Sequence, residues 1–390
     1  MMVIRSNPQS VICPTGKVSF THFCYLKGMK GTYLFVLLFV LSLSSFAQTP
    51  VVQNPPPGTT DGINYLSNES AVLYFFAPNK SYVHAIGDWN NWTANASSLM
   101  NVSEDGAIHW LQVDGLSTSE EYRFQYLVEG SLQCADPYAE KILDEWNDQW
   151  IPAEHYPGLI SYPSGETSWP VSVLQTAEPE YVWHDQSYTR PPQDRLMIYE
   201  LLIRDFELGQ EIQDVLNKLD YLQNLGITAI ELMPILEFDG NLSWGYNGNF
   251  FFAPDKYYGS KRKLQELVDE CHQRGMAVIM DIVMNHSFGL NPQVRMYFDP
   301  NAGQYGEPSS DNPWLNPQSP HPFSVGYDYD HESPVTRDFF KRVLNHWIAE
   351  YHIDGYRIDL SKGLTQTYTG GDVGAWNVYD QSRVNILFDY

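Results

Sequence analysis

The chain has 390 residues, a net charge of −24, and 43% hydrophobic against 18% charged residues. That length supports two or three domains with full cores, and the apolar share excludes long disordered stretches. The acidic balance excludes a nucleic-acid backbone as partner, since like charges repel.

The N-terminus reads as an export signal. Met29-Lys30 precedes the apolar run "YLFVLLFVLSLSSFA", which closes on Ala47 and Gln48. This is a short basic region, an apolar region and a small residue at a cleavage site, so residues 1–47 are expected to direct export, with Met29 as the start. The run is short for a membrane span and polar sequence follows, so a stable anchor is the weaker reading. The expected location is secreted, periplasmic or at the cell surface. Of four cysteines, Cys13 and Cys24 precede this signal. Cys134 and Cys271 are a lone, far-separated pair without metal-like spacing and are expected to be free.

Residues 66–150 predict an all-β, immunoglobulin-like sandwich. "SAVLYFFAPN", "SYVHAIGDWNNW", "AIHWLQVD" and "EYRFQYLVEG" are short aromatic and β-branched runs divided by Asn, Gly and Asp. In the last, Tyr122, Phe124, Tyr126 and Val128 alternate with Arg123, Gln125 and Leu127, the period of a half-buried strand. Aromatics form 14% of the chain, a richness shared by sugar-stacking surfaces and β-rich cores; for Trp89 and Trp92 the core role is preferred. Residues 151–194, rich in Pro, Ser, Gly and Thr, read as a linker.

From residue 195 to 390 one plan repeats: an amphipathic helix, then an apolar strand. Ile212, Val215, Leu216, Leu219 and Leu222 share a face before Gly226; Leu264, Leu267, Val268 and Cys271 do so before Gly275. A third helix opens at Ser333-Pro334 and turns Phe339, Phe340, Val343, Trp347 and Tyr351 inward. With "RLMIYELLIRDF" in front, this predicts four parallel strands near 196–203, 227–233, 276–283 and 354–360, with an inserted loop region over 287–330. Period alone leaves a doubly wound sheet and half of a (β/α)8 barrel open. The first strand lacks a glycine-rich phosphate loop, which weakens the former.

Chemistry collects at the strand ends. "DIVMNH" offers Asp281, Asn285 and His286; "DGYRIDL" offers Arg357 and Asp359 in alternate positions, on one side of a strand. The loop "SWGYNGNFF" adds Trp244, Tyr246 and Asn247. A carboxylate, an arginine, a histidine and an aromatic at one mouth suit a hydroxyl-rich, uncharged ligand. Asp281 reads as orienting the site. Arg357 and Asp359 alone read equally well as a structural ion pair.

"DIVMNH" and "DGYRIDLSKG" resemble the first and second conserved regions of the α-amylase family of glycoside hydrolases. "GITAIELMP" and "GYDYDHESP" resemble two further regions, and "HAIGDWNNW" with "YRFQYLVEGSLQCADPY" resembles the starch-binding-type sandwich of its multidomain members. The resemblance covers residues 66–390 and implies an α/β fold: the first four units of a (β/α)8 barrel behind a carbohydrate-binding-module-like sandwich.

It also implies roles. Asp359 matches the catalytic nucleophile, and Arg357 the cation that keeps it charged and aimed. His286 and Tyr246 match substrate-binding positions, and Asn285, Asp281, Trp244 and Lys362 are expected to join them in binding substrate. Asn285 and Asp328 match ligands of a structural calcium, although Gly363 stands where calcium-binding members often carry histidine; the chemistry itself needs no cofactor. The family's general acid, a glutamate on the fifth strand, has no counterpart in these 390 residues, and Glu332 is no substitute. The chain is therefore expected to be a C-terminally truncated member, a monomer, inactive by itself. The function implied is retaining hydrolysis of α-glucosidic bonds in starch, glycogen or maltodextrins. Pullulanase-like debranching, glucan branching and a non-catalytic α-glucan binder are the alternatives.

Overall fold

A computed structural model describes residues 49–323 and 325–390; the export-signal reading of residues 1–47 falls outside them. From Gly62 the chain builds two facing sheets. The first joins β1 (Gly62–Ser67), β2 (Ser70–Phe76), β4 (Asn101–Val102) and β5 (Ile108–Asp114), with β2 and β5 central. The second joins β3 (Val83–Gly87), β6 (Glu121–Val128), β7 (Leu132–Cys134), β8 (Ile142–Leu143) and β9 (Val171–Gln175) around β6. Leu73 and Phe75 share a buried cluster with Phe124, Tyr126 and Val128. Tyr126 stacks on Phe75 at 4.0 Å and donates its hydroxyl to Asp136 at 2.8 Å, which satisfies an otherwise costly buried phenol. Trp89 packs beside Phe124, and Trp92 against the Leu143–Val171 cluster, both in core roles.

Two features differ from the sequence reading. Residues 171–175, expected within a linker, form β9, which pairs with β6 from Glu121↔Gln175 to Phe124↔Ser172. "VSVLQ" is apolar enough for a strand but too short to show a period between its proline- and serine-rich flanks. The preceding segment also buries Gln125, expected on the wet face. Its amide donates to the Ser168 and Pro170 carbonyls at 2.8 and 3.0 Å and accepts from Thr167 at 2.6 Å. A strand covered on both faces cannot keep a clean alternation.

The second part runs through β10 (Ile198–Leu201), β11 (Ala229–Leu232), the hairpin β12 (Leu236–Phe238) and β13 (Gly248–Pro254), β14 (Ala277–Val283), β15 (His286–Ser287), the pair β16 (Phe298–Asp299) and β17 (Glu307–Pro308), β18 (Tyr327–Asp328) and β19 (Gly355–Asp359). Its helices are α1 (Ile203–Phe206), α2 (Ile212–Leu216), α3 (Leu219–Asn224), α4 (Lys261–Gln273), α5 (Pro292–Met296), α6 (Pro334–Tyr351), α7 (Val373–Trp376) and α8 (Gln381–Asp389). Strands β10, β11, β14 and β19 form one parallel sheet in sequence order. Each crossover adds the next strand on the same side. A doubly wound sheet reverses that order at a switch point, whereas a (β/α)8 barrel does not; these four strands follow the barrel's order.

Local signals match their elements. Ser260 caps α4 by accepting from Lys263 N, and Gly226 and Gly275 follow their helices at φ 88° and 73°, where glycine is cheap. Ser333 occupies the cap position of α6 with Pro334 next, but its hydroxyl donates instead to Pro313 O at 2.7 Å. The first of the three predicted helices is divided at Asn217-Lys218 into α2 and α3.

Register then sorts the side chains. Ile230, Leu232, Val278, Met280 and Ile282 are buried in one cluster with Leu219, Leu267, Val268 and Trp347 of the helices. Tyr356 points the same way, donating to Leu344 O at 2.6 Å. The opposite face carries Glu200 opposite Glu231, and Asp281 opposite Arg357. Cys134 and Cys271 are buried and free. Among the described residues, no helix is long and apolar enough to cross a membrane.

Candidate active site

The sheet delivers its polar residues at the C-terminal ends of β14 and β19. Pairing of Asp281 with Arg357 and of Val283 with Asp359 places both carboxylates beside one guanidinium. Arg357 Nη1 donates to both Asp281 oxygens at 3.1 and 3.0 Å and to Asp359 Oδ1 at 2.5 Å. The Asp281 side chain is fully buried, while Asp359 keeps 27% of its surface open. Of the two, only Asp359 can meet a ligand. Burial opposes the charge on Arg357, but the two carboxylates outweigh it and hold the guanidinium more firmly protonated than usual. The chain leaves Asp359 through Leu360 in the left-handed region, φ 46°. A non-glycine residue there costs on the order of 1 kcal/mol, so the surrounding structure fixes this turn.

Tyr246 reaches the same centre from the loop before β13. Its hydroxyl donates to Asp281 Oδ2 at 2.8 Å, and burial followed by that carboxylate raises the phenol's pKa. Gly245 sets the approach. It sits at φ 88°, and a Cβ there would lie 2.3 Å from the Pro234 carbonyl oxygen. Burial raises the pKa of Asp281 itself, against the pull of Tyr246 and Arg357.

His286 is buried, and both its ring nitrogens are engaged. Nε2–H donates to the Tyr246 carbonyl at 3.0 Å, and Nδ1 accepts from Asn285 Nδ2 at 3.1 Å. Burial lowers its pKa, consistent with a neutral imidazole holding that tautomer. In this structure His286 therefore braces the Tyr246 backbone. Asn285 turns its Oδ1 the other way, toward His321 Nε2 at 3.1 Å, and His321 Nε2 also lies 3.0 Å from Asp328 Oδ1.

Six of the residues marked from the sequence thus join one hydrogen-bonded chain: Asn285, His286, Tyr246, Asp281, Arg357 and Asp359. Trp244 lies 59% exposed nearby in sequence. Lys362 is turned elsewhere, to Asn377 Oδ1 at 2.7 Å and over the Trp376 ring at 4.8 Å. Sequence reasoning missed Glu200 and Glu231, whose carboxylate oxygens lie within 4.8 Å of each other and of Asp281. Single charged residues inside "IYELL" and "AIELM" were the available signal, since an apolar strand has no other use for them. It also missed His321, which comes from a loop without periodic pattern.

Residues 204–372 match the family model of the α-amylase catalytic domain. The chain is 32% identical over 230 residues to malto-oligosyltrehalose trehalohydrolase of Saccharolobus solfataricus, covering 59% of this chain and 37% of the relative. It is 29% identical over 326 residues to the 1,4-alpha-glucan branching enzyme GlgB of Desulfitobacterium hafniense, covering 81% and 47%. In fold it resembles a pullulanase from Paenibacillus barengoltzii solved with maltotetraose, at TM-score 0.58 and 20% identity, covering 79% of this chain and 50% of that one. The chain spans less than half the length of these curated relatives.

Proposed function

We propose, from the premise that this chain belongs to the α-amylase family of glycoside hydrolases, that it carries the nucleophile side of an α-glucan-active catalytic centre. The observation that carries the reading is one guanidinium nitrogen bridging a buried and an open carboxylate. The cation pairs with Asp359 and aims it, and buried Asp281 fixes the cation. Asp359 attacks the anomeric carbon as the glycosidic C–O bond breaks, giving a covalent glycosyl–enzyme that water then opens. Tyr246 supplies an aromatic surface for the sugar ring, and His286 with Asn285 fixes the loop that presents it.

Retention needs a second carboxyl as acid and base, about 5–5.5 Å from the nucleophile. Asp281 does not suit that task, because its oxygens already accept from Arg357 and Tyr246. We therefore expect the 390 residues alone to bind α-glucan without turning it over; robust hydrolysis of amylose by the purified chain would refute this. In protein that contains the full catalytic centre, Asp359→Asn should lower kcat on maltotetraose by about four orders of magnitude or more, with little change in melting temperature.

The relatives' activities divide between cleaving and rejoining glucan chains, so hydrolysis, debranching and branching are separated by products. Maltose-sized sugars from amylose indicate hydrolysis, maltotriose from pullulan debranching, and a loss of iodine colour without new reducing ends branching. We propose export through residues 1–47, tested by N-terminal sequencing of the mature protein for a start at Gln48.

A further inference from the structure

The family resemblance places a structural calcium between Asn285 and Asp328, and the side chains there test whether a metal fits. Asn285 Oδ1 and Asp328 Oδ1 converge on a single point, and His321 Nε2 stands at it, 3.1 and 3.0 Å away. Both oxygens are acceptors, so Nε2 carries its hydrogen and shares it between them. The second Asp328 oxygen accepts from Asn316 Nδ2 at 2.8 Å. Calcium would need six to eight oxygens at about 2.3–2.6 Å, and the three side-chain oxygens on hand already face N–H donors. The imidazole is fully buried, and Trp376 stacks on it at 5.9 Å between centroids. Gly363, in the turn after β19, closes the position: a Cβ there would lie 1.8 Å from Asn285 Oδ1 and 3.1 Å from His321 Nε2. The side chain that calcium-binding members carry at that position is thus incompatible with this arrangement.

We infer that this position takes no calcium, and that His321 performs by hydrogen bonding what the metal performs elsewhere. It ties the loop ahead of β18 to the end of β14. Through Asn285 it also holds His286, whose ring braces Tyr246, so the tether lies on the same hydrogen-bonded chain as Asp359.

The test is scanning calorimetry of the 390-residue chain with a chelator and with millimolar calcium, beside direct calcium titration by calorimetry. The melting temperature should be the same in both, and the titration should show no stoichiometric binding. His321→Leu, which keeps bulk and removes the donor, should lower the midpoint by roughly 2–4 °C. His321→Gln, whose amide nitrogen can occupy the position of Nε2, should restore most of the loss. A chelator-induced drop, or a saturable rise with calcium, overturns the inference even if no variant folds. A His321→Leu protein as stable as the parent, or one that glutamine fails to improve on, overturns the tether.

Discussion

Arg357 reaches two carboxylates with one terminal nitrogen, and the nitrogen of lysine, one bond nearer the backbone, falls short of that position. A guanidinium is planar and remains charged when partly desolvated, whereas an ammonium is a hydrated point charge on a flexible stem. In protein that contains the full catalytic centre, Arg357→Lys should therefore cut turnover of maltotetraose by roughly a hundredfold or more while leaving the melting temperature almost unmoved; equal activity would show that the arginine only fills space. Gly245 makes a second residue-level case. Its φ of 88° and the Pro234 oxygen 2.3 Å from a built Cβ mean that Gly245→Ala must shift the Tyr246 loop. A loss of about 1–3 kcal/mol in urea unfolding is expected, together with weaker binding of maltotetraose. Arg357, Asp359 and Tyr246 were legible because the motifs around them resemble conserved regions of a known family; position alone left the Arg357–Asp359 pair equally open to a structural reading. His321 was not, since its role depends on a loop conformation that no local pattern encodes.

At the scale of elements, the four parallel strands could be read because helix and strand periods differ and Gly226 and Gly275 mark two of the helix ends. Strand β9 and the break between α2 and α3 could not, because short segments carry no period and tertiary packing decides them. One element contact has a measurable pH signature. His331, just before α6, donates Nε2–H to Met284 O at 2.8 Å at the end of β14 and accepts from Tyr390 Oη at 2.7 Å. Burial without charge depresses its pKa from 6.5 to about 3. The unfolded chain thus binds the proton first. Its stabilising contribution is complete above about pH 6.5 and is lost as pH falls toward 3, by up to about 1.4 kcal/mol per pH unit. Denaturant midpoints at pH 7, 6, 5 and 4 should fall less steeply in His331→Gln than in the parent; parallel curves would contradict this.

Across the whole molecule, sandwich and barrel strands are not separate bodies. One buried cluster includes Leu73 and Tyr126 of the sandwich together with Met280 and Phe339 of the barrel part. Arg295 of α5 lies 3.6 Å over the Trp169 ring and donates to Gln133 O at 3.0 Å. Arg342 of α6 donates to Asp61 O at 2.7 Å. A shared core predicts one cooperative calorimetric transition for residues 49–390, and two resolved transitions would contradict it. Arg295→Ala should destabilise the protein by about 1–3 kcal/mol without splitting the transition.

The claim on which the rest depends is that Asp359 is a nucleophile aimed by Arg357, and a mechanism-based label tests it most directly. A 5-fluoro-α-maltosyl fluoride loses fluoride without a proton donor, so labelling does not require the general acid, and the ring fluorine slows release of the adduct. Peptide mass spectrometry should find one glycosyl ester on Asp359, absent from Asp359→Asn and weaker in Arg357→Lys. An ester on Asp281 or any other carboxylate, or no label on Asp359, would contradict the account.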